Sequence, residues 1–330
     1  MNLTKRIIKA CNSPQEKKMN IILLHSNERY ESTLAETGHN FFCPSFDDET
    51  SWENCISKKP DNVFILGKQA LTYQFISALN PDIIIGQDRN KHWGVVNNIC
   101  NIIHIPSILI ERYPPPVSQE YNEKVEAIKS ISADVNVFDN RNCEKMWNLL
   151  NSTTIEDPID SNIFKVHKDT KKTQDMMTVI HNHDQDHRVK AIWDFIVQEF
   201  PSIKCVGNFM NVSNPCESVE DLVQEYNQSK IYVNMNMTSS SAMKEAMMCG
   251  CAVVTMSDQV NDTIEDGVNG YVCMDLMEMK QKIEILLTNP DILAEMSKKA
   301  EESVTKRCSV DNFKNSWNDI FNTIQKGITQ

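Results

Sequence analysis

Six short apolar runs, each bounded by polar residues and separated by helical periodicity, constrain the first part of this chain more than any other feature. MNIILLH (19–25), HNFFC (39–43), DNVFILG (61–67), PDIIIGQD (81–88), HIPSILIE (104–111) and ISADVNVFDN (131–140) read as strands buried in a sheet. Between them, Tyr30 to Thr37 (ended by Gly38), LTYQFISALN (71–80) and GVVNNICNII (94–103) carry helical patterns. Strand and helix alternating at this spacing predict an α/β fold with a parallel, doubly wound sheet.

The stretch from 141 to 175 is polar, contains one proline, Pro158, and has no long strand. It reads as a helix followed by a crossing between domains. Alternation then resumes with MMTVIHN (176–182), a helix over 189–200, SIKCVGN (202–208) and a helix over 218–228. KIYVNMN (230–236), a short helix, CAVVTM (251–256), GYVCM (270–274) and a helix over 276–287 complete the second half. The expected division is a first Rossmann-like domain over 1–160, with an extension over 1–18, and a second over 161–330 closed by helices at 290–330. A chain of 330 residues suits two domains of about 150 residues each. Two such halves place a ligand in the cleft between them, at the carboxyl ends of the strands.

Hydrophobic residues make up 41% and charged residues 24%, ordinary values for a soluble globular protein. No apolar run reaches about 20 residues and no signal-peptide pattern appears, so neither membrane spanning nor secretion is expected. The start, MNLTKRIIKACNSPQEKKMN, reads as a brief amphipathic helix packed on the body rather than a membrane anchor. Eleven dispersed cysteines, never spaced C-x-x-C, argue for reduced thiols and a cytoplasmic location. A net charge of −12 disfavours a protein built mainly to capture nucleic acid electrostatically.

TSSSAMKEAMMCGCAVVTM (238–256) carries the strongest chemical signal. A helix that starts at these serines presents unpaired backbone N–H groups and the positive end of its dipole. Small residues let an anion come close, and a diphosphate suits such an end. Glu245 lies one turn further in, where a carboxylate can accept bonds from ribose hydroxyls, and Gly250 permits a tight turn into the next strand. The plainer reading is a serine cap and a solvent-facing Glu245.

KEAMMCGCAVVTM (244–256), followed by Asp266-Gly267-Val268-Asn269-Gly270-Tyr271-Val272, resembles the donor-site signature of GT-B glycosyltransferases of the group 1, or family 4, kind. That pattern runs E-A-M-A-C-G-x-P-V-V and later D-G-x-N-G-x-x. TIEDPIDSNIF (154–164) resembles the segment that ends the family's first domain, and 286–317 resembles its closing helices. Residues 21–44 resemble its first β-α-β, and the compact length is similar to spore-maturation-like and phage members. The resemblance implies the GT-B fold, two Rossmann-like domains with the active site in the interdomain cleft. It also implies transfer of a sugar from a nucleotide-diphosphate donor, a UDP-sugar favoured, to an acceptor hydroxyl, with no bound metal and with retention at the anomeric carbon. Ser239, Ser240, Ser241 and either Arg188 or Lys190 would hold the diphosphate, and Glu245 the ribose.

Four departures accompany the resemblance. Met237 stands where the family carries the first of two glutamates, and Ala252 where it carries a proline. His25-Ser26-Asn27 replaces a Gly-Gly loop after the first strand. Arg112 occupies the place of a usual histidine, which leaves Glu111 beside it as an acid/base candidate.

HNHDQDHR (181–188) offers His181, His183, Asp184, Asp186 and His187 as metal ligands, or else forms the loop that brings Arg188 to the donor. In GQDRNKHWG (86–94), Asp88, Arg89 and His92 are candidates to hold or deprotonate the acceptor, with Arg89 and Arg112 binding it. The alternative is a polar loop with an aspartate cap. Two acceptors are open: a hydroxymethylated pyrimidine in phage DNA, approached through Arg89, Lys91, His92, Arg112 and Lys58-Lys59, or a saccharide or other small molecule. A catalytically silent sugar-nucleotide-binding protein is the reading from another class.

Overall fold

The computed structural model describes residues 18–45, 57–115, 133–180, 187–209, 215–236, 240–256 and 262–328, together with Lys5, Ile7, Trp52 and Ser213. The chain divides into two compact units, one of residues 1–156 with 311–330 and one of residues 157–310.

In the first unit the elements run β1 (Asn20–Leu23), α1 (Glu28–Ala35), β2 (Asn40–Pro44), β3 (Val63–Leu66), α2 (Tyr73–Ala78), β4 (Ile83–Gly86), α3 (Arg89–Ile103), β5 (Ser107–Glu111), β6 (Val135–Phe138), α4 (Arg141–Trp147) and β7 (Ser152–Thr154). The seven strands pair in parallel in the order β3-β2-β1-β4-β5-β6-β7. Successive side chains of a strand point to opposite faces. Ile21 and Leu23 therefore enter one core with Phe41 and Ile85, while Ile22 and Leu24 enter the other with Phe42 and Ile84. That double burial explains why the strands are apolar throughout rather than alternating.

The second unit contains β8 (Gln174–Val179), α5 (His187–Glu199), β9 (Lys204–Val206), α6 (Val219–Gln228), β10 (Ser229–Asn234), α7 (Ser241–Met248), β11 (Ala252–Met256), β12 (Tyr271–Cys273), α8 (Leu276–Thr288) and α9 (Pro290–Arg307). Its five strands are also parallel, ordered β12-β11-β10-β8-β9. Two cores again flank the sheet, with Met177, Tyr232 and Val253 on one side and Met176, Ile231 and Val254 on the other.

Three details differ from the sequence expectation. The segment 86–94 is not a loop. Asp88 caps α3, its Oδ1 accepting from Lys91 N at 3.0 Å, so the helix begins at Arg89 and its first turn carries Arg89 and His92. The polar crossing over 141–175 contains β7, an edge strand whose Ser152 and Thr154 hydroxyls donate to the Glu144 carboxylate. The last helix, α10 (Val310–Ile328), belongs to the first unit, although the tail from 290 onward was expected to close the second. Phe313, Trp317 and Phe321 recur every fourth residue and form an apolar stripe. They are buried with Tyr30, Leu34 and Phe41, and Trp317 Nε1 donates to Tyr30 Oη at 3.1 Å. Among the described residues no helix is long and apolar enough to cross a membrane. The extension over 1–18 lies almost wholly outside the described residues.

Trp317→Ala removes the centre of this stripe and should cost about 3–5 kcal/mol, with hydrogen exchange of the β1 and β2 amides accelerating in step. Chemical denaturation of the full chain measures the first effect.

Candidate functional site

A parallel sheet wound outward in both directions from its first strand leaves a crevice beside that strand, at the carboxyl ends, where successive helices depart to opposite faces. In the second unit this switch point falls between β8 and β10. They are aligned in register, Met177 beside Tyr232, so their carboxyl ends lie side by side. After β10 comes α7, capped by Ser240, whose Oγ accepts from Met243 N at 3.2 Å. The first N–H groups of a helix have no acceptor within it, so the start of α7 offers donors and a positive dipole end to an anion. After β8 comes α5, with the half-buried Arg188 in its first turn and the exposed Lys190 further on.

Asn234 ends β10 and is wholly buried. Its Nδ2 donates to Thr255 Oγ1 at 3.1 Å, while its Oδ1 has no hydrogen-bond partner among the described residues. Burying a polar atom without a partner is costly, so such an atom marks a place where a ligand donor fits. Glu245, 2% exposed, accepts from Tyr226 Oη at 3.1 Å. The solvent-facing reading of this carboxylate is therefore corrected: in α7 the residue turns inward, toward α6. Ser239 and Met237 lie outside the described residues, as do His181, His183, Asp184 and Asp186 of the metal alternative. His187 opens α5, and among the described residues no group of three or more His, Cys, Asp or Glu is placed to hold a metal.

The later half of the signature has a structural job. Asn269 Oδ1 accepts from Glu265 N at 2.7 Å and its Nδ2 donates to Thr263 O at 3.1 Å, closing the turn before β12. Gly267 adopts φ +73°, and a Cβ at Gly270 would meet Val253 O at 3.0 Å.

In the first unit the strand order reverses between β1 and β4. Their carboxyl ends gather His25, Glu31 and Gln87. Glu31 is wholly buried in α1, and its Oε1 accepts from Ser26 N (2.7 Å), Asn27 N (3.1 Å) and Gln87 Nε2 (2.6 Å). Its Oε2 lies 2.7 Å from His25 Nδ1. Gln87, 3% exposed, also donates to Leu24 O at 3.0 Å, and among the described residues its Oε1 has no hydrogen-bond partner. Arg112 stacks over the Tyr30 ring at 4.6 Å and donates to Gln87 O at 3.3 Å.

The acceptor-side candidates separate. His92 Nδ1 accepts from Gln87 N at 2.9 Å, so in the neutral ring the proton sits on Nε2. Burial lowers its pKa to about 4, which holds it neutral. His92 is thus a hydrogen-bond donor in this setting, and the geometry speaks against its deprotonating an acceptor. Arg89, 2% exposed, donates to Asn136 Oδ1 at 2.8 Å, lies 5.2 Å over the Trp147 ring and stands 3.8 Å from Glu111. It is an interior cation, not an exposed acceptor contact, because its position in the first turn of α3 points it at β5 and β6. Asp88 is engaged as the cap of α3.

Burial pushes the Glu111 carboxyl up to about 7, against the Tyr113 N–H, Arg89 and the Arg112 N–H, with Asp88 adding to the rise. The folded state then keeps a proton that the unfolded chain releases near 4.5, so Glu111 lowers stability as pH rises from about 4.5 through about 7. Glu111→Gln should gain on the wild type across that interval, by on the order of 3 kcal/mol, in urea denaturation at pH 5 and pH 8.

Sequence reasoning missed Glu31 and Tyr226, and noted His25 only as a departure from a glycine loop. The available signal was Asn27 followed four residues later by Glu31, a cap and a carboxylate at the start of a helix after a buried strand.

Comparison with known proteins agrees with this architecture. Residues 200–289 match the family model described as glycosyl transferases group 1. No curated protein matches the chain. Among solved structures, Anabaena HepE in complex with UDP and glucose is 12% identical, with a TM-score of 0.74 over 92% of this chain and 100% of that one. Sucrose-phosphate synthase from Thermosynechococcus elongatus is 11% identical, with a TM-score of 0.74 over 94% and 100%. A glycosyltransferase from Rickettsia africae is 12% identical, with a TM-score of 0.64 over 94% and 99%. The fold is GT-B, and within it residues 200–289 are similar to the group 1 glycosyl transferases.

Proposed function

We propose that this protein transfers a sugar from a UDP-sugar to a hydroxyl of a saccharide or other small acceptor. The observation that carries the donor half is the start of α7 at the switch point of the second sheet, together with the buried Asn234 Oδ1 at the end of β10, which has no hydrogen-bond partner among the described residues. In this reading the α7 amides with Ser239, Ser240 and Ser241 hold the diphosphate, and Arg188 neutralises the leaving group in preference to Lys190, which is exposed. Glu245 accepts from the ribose hydroxyls alongside Tyr226. The UDP named with Anabaena HepE supports uridine as the donor nucleoside, and no metal is assigned to the site.

The acceptor assignment follows from charge. Of the nitrogen-bearing side chains that would line a groove for duplex DNA, Arg89 and His92 are interior, and the chain carries a net charge of −12. A small neutral acceptor has no need of such a groove. The free thiols, nine among the described residues, suit a cytoplasmic setting. Retention, which the family resemblance implies, requires no protein base.

Titration calorimetry with UDP tests the donor half. The full-length protein should bind UDP, and Glu245→Gln, which keeps the side chain's size, should weaken binding by about 10- to 100-fold. Absence of UDP binding, or unchanged affinity in the variant, contradicts the assignment.

A further inference from the structure

We propose that Glu111 holds the acceptor, its Oε2 receiving a hydrogen bond from a hydroxyl of a neutral, polyhydroxylated molecule. The inference rests on the glycosyl-transfer reading above and names the acceptor class for it.

Glu111 is the last residue of β5, beside Phe138 at the end of β6, so it stands at the carboxyl edge of the first sheet. Leu109, two residues earlier, enters the core shared with Val96 and Ile99 of α3. By alternation Glu111 turns to that same face, where α3 begins. Its two oxygens are treated unequally. Oε1 accepts from Arg112 N at 3.2 Å and from Tyr113 N at 3.1 Å. Oε2 receives no hydrogen bond among the described residues, and Arg89 Nε stands 3.8 Å from it, beyond hydrogen-bond reach. Arg89 is held in place by Asn136 Oδ1 at 2.8 Å and the Trp147 ring at 5.2 Å. Leaving one oxygen of a buried carboxylate without a donor is costly. At 5% exposure the chain thus keeps a carboxyl that weakens the fold and that its described neighbours only half satisfy. Such groups gather at functional sites.

Gln87 supplies an independent observation. It follows β4, the strand next to β5, where the strand order reverses and a parallel sheet leaves its ligand crevice. Its Nε2 donates to Leu24 O at 3.0 Å and to Glu31 Oε1 at 2.6 Å, so both amide hydrogens are engaged. Its Oε1, in a residue 3% exposed, has no hydrogen-bond partner among the described residues. Two adjacent strand ends therefore each carry an acceptor atom that lacks a donor. A ligand that answers both brings at least two hydroxyls, as a polyol or saccharide does. Charge disfavours the other classes. An ammonium at Oε2 would meet the Arg89 guanidinium, and a carboxylate or phosphate would meet Glu111 and Asp88.

The groups that face Glu111 are Arg89 and Asp88 at the start of α3, and the Arg112 and Tyr113 N–H after β5. From α4 comes the Cys143 thiol, which burial keeps protonated, with Asp139 beside it. Burial, the largest influence, raises the Glu111 carboxyl to about 7. The ionised form is the stronger acceptor for a hydroxyl, so acceptor binding should tighten as pH rises through that value. A retaining transfer needs no protein base, and Glu111 accordingly acts on acceptor affinity rather than on bond making.

The test uses the full chain with UDP-glucose and measures transfer to D-glucose, D-mannitol and glycerol, with gluconate and ethanolamine as charged counterparts. The wild type should prefer the neutral acceptors, and its acceptor KM should fall about tenfold between about pH 6 and pH 8. Glu111→Gln, which should fold more stably than the wild type, should raise that KM by about 10- to 100-fold at about pH 8 and flatten its pH dependence. UDP affinity by calorimetry should be the same in both proteins. An acceptor KM that the substitution leaves intact, a pH dependence that survives it, or preference for a charged acceptor overturns the proposal. So does a wild type that binds UDP yet transfers to none of the neutral acceptors. Failure of the wild type to bind UDP overturns the glycosyl-transfer reading instead.

Discussion

Parallel pairing that runs outward in both directions from one strand is the constraint on which everything else here depends. In the first sheet that strand is β1, in the second β8. Right-handed crossovers send the flanking helices to opposite faces, so each sheet is covered on both sides and must be apolar on both. The same winding separates the helices at one place per sheet, and polar chemistry collects there. His25, Glu31 and Gln87 sit at the first such place; Asn234, Ser240 and Arg188 belong to the elements that leave the second.

The two places differ in what they offer. At the second sheet the resources are backbone: helix-start N–H groups, a serine cap and small neighbours, with Asn234 holding an acceptor atom in reserve. These suit a ligand whose charge is spread over phosphate oxygens. At the first sheet the resources are side chains that lock one another, with a wholly buried carboxylate holding an imidazole in one tautomer. The C-terminal helix α10 supports this second kind of site. Trp317 bonds Tyr30, Tyr30 carries the stacked Arg112, and Arg112 reaches the carbonyl of Gln87. A helix at the far end of the sequence thereby steadies residues near its start.

Much of the fold was legible because both faces of each sheet are buried. Runs such as PDIIIGQD and CAVVTM then announce themselves without any period to decode, and the α7 seat followed from serines placed after a strand. Legibility stopped where tertiary contacts choose among local options. Asp88 was equally an acceptor-side group or the cap of a polar loop, and only the pairing of Arg89 with Asn136 and Trp147 shows that the first turn of α3 faces inward. The tail from 290 to 330 is helical by periodicity throughout, but nothing in that period says which sheet Phe313, Trp317 and Phe321 cover. Glu31 was invisible because a carboxylate inside a core is improbable until the four donors that surround it are known.

The central claim, that a nucleotide diphosphate seats at the start of α7, is tested most directly by hydrogen exchange of the full chain with and without UDP. The account predicts slowed exchange over residues 240–244 and the first turn of α5, with the α10 amides unchanged. Slowing elsewhere, with residues 240–244 unaffected, would contradict it.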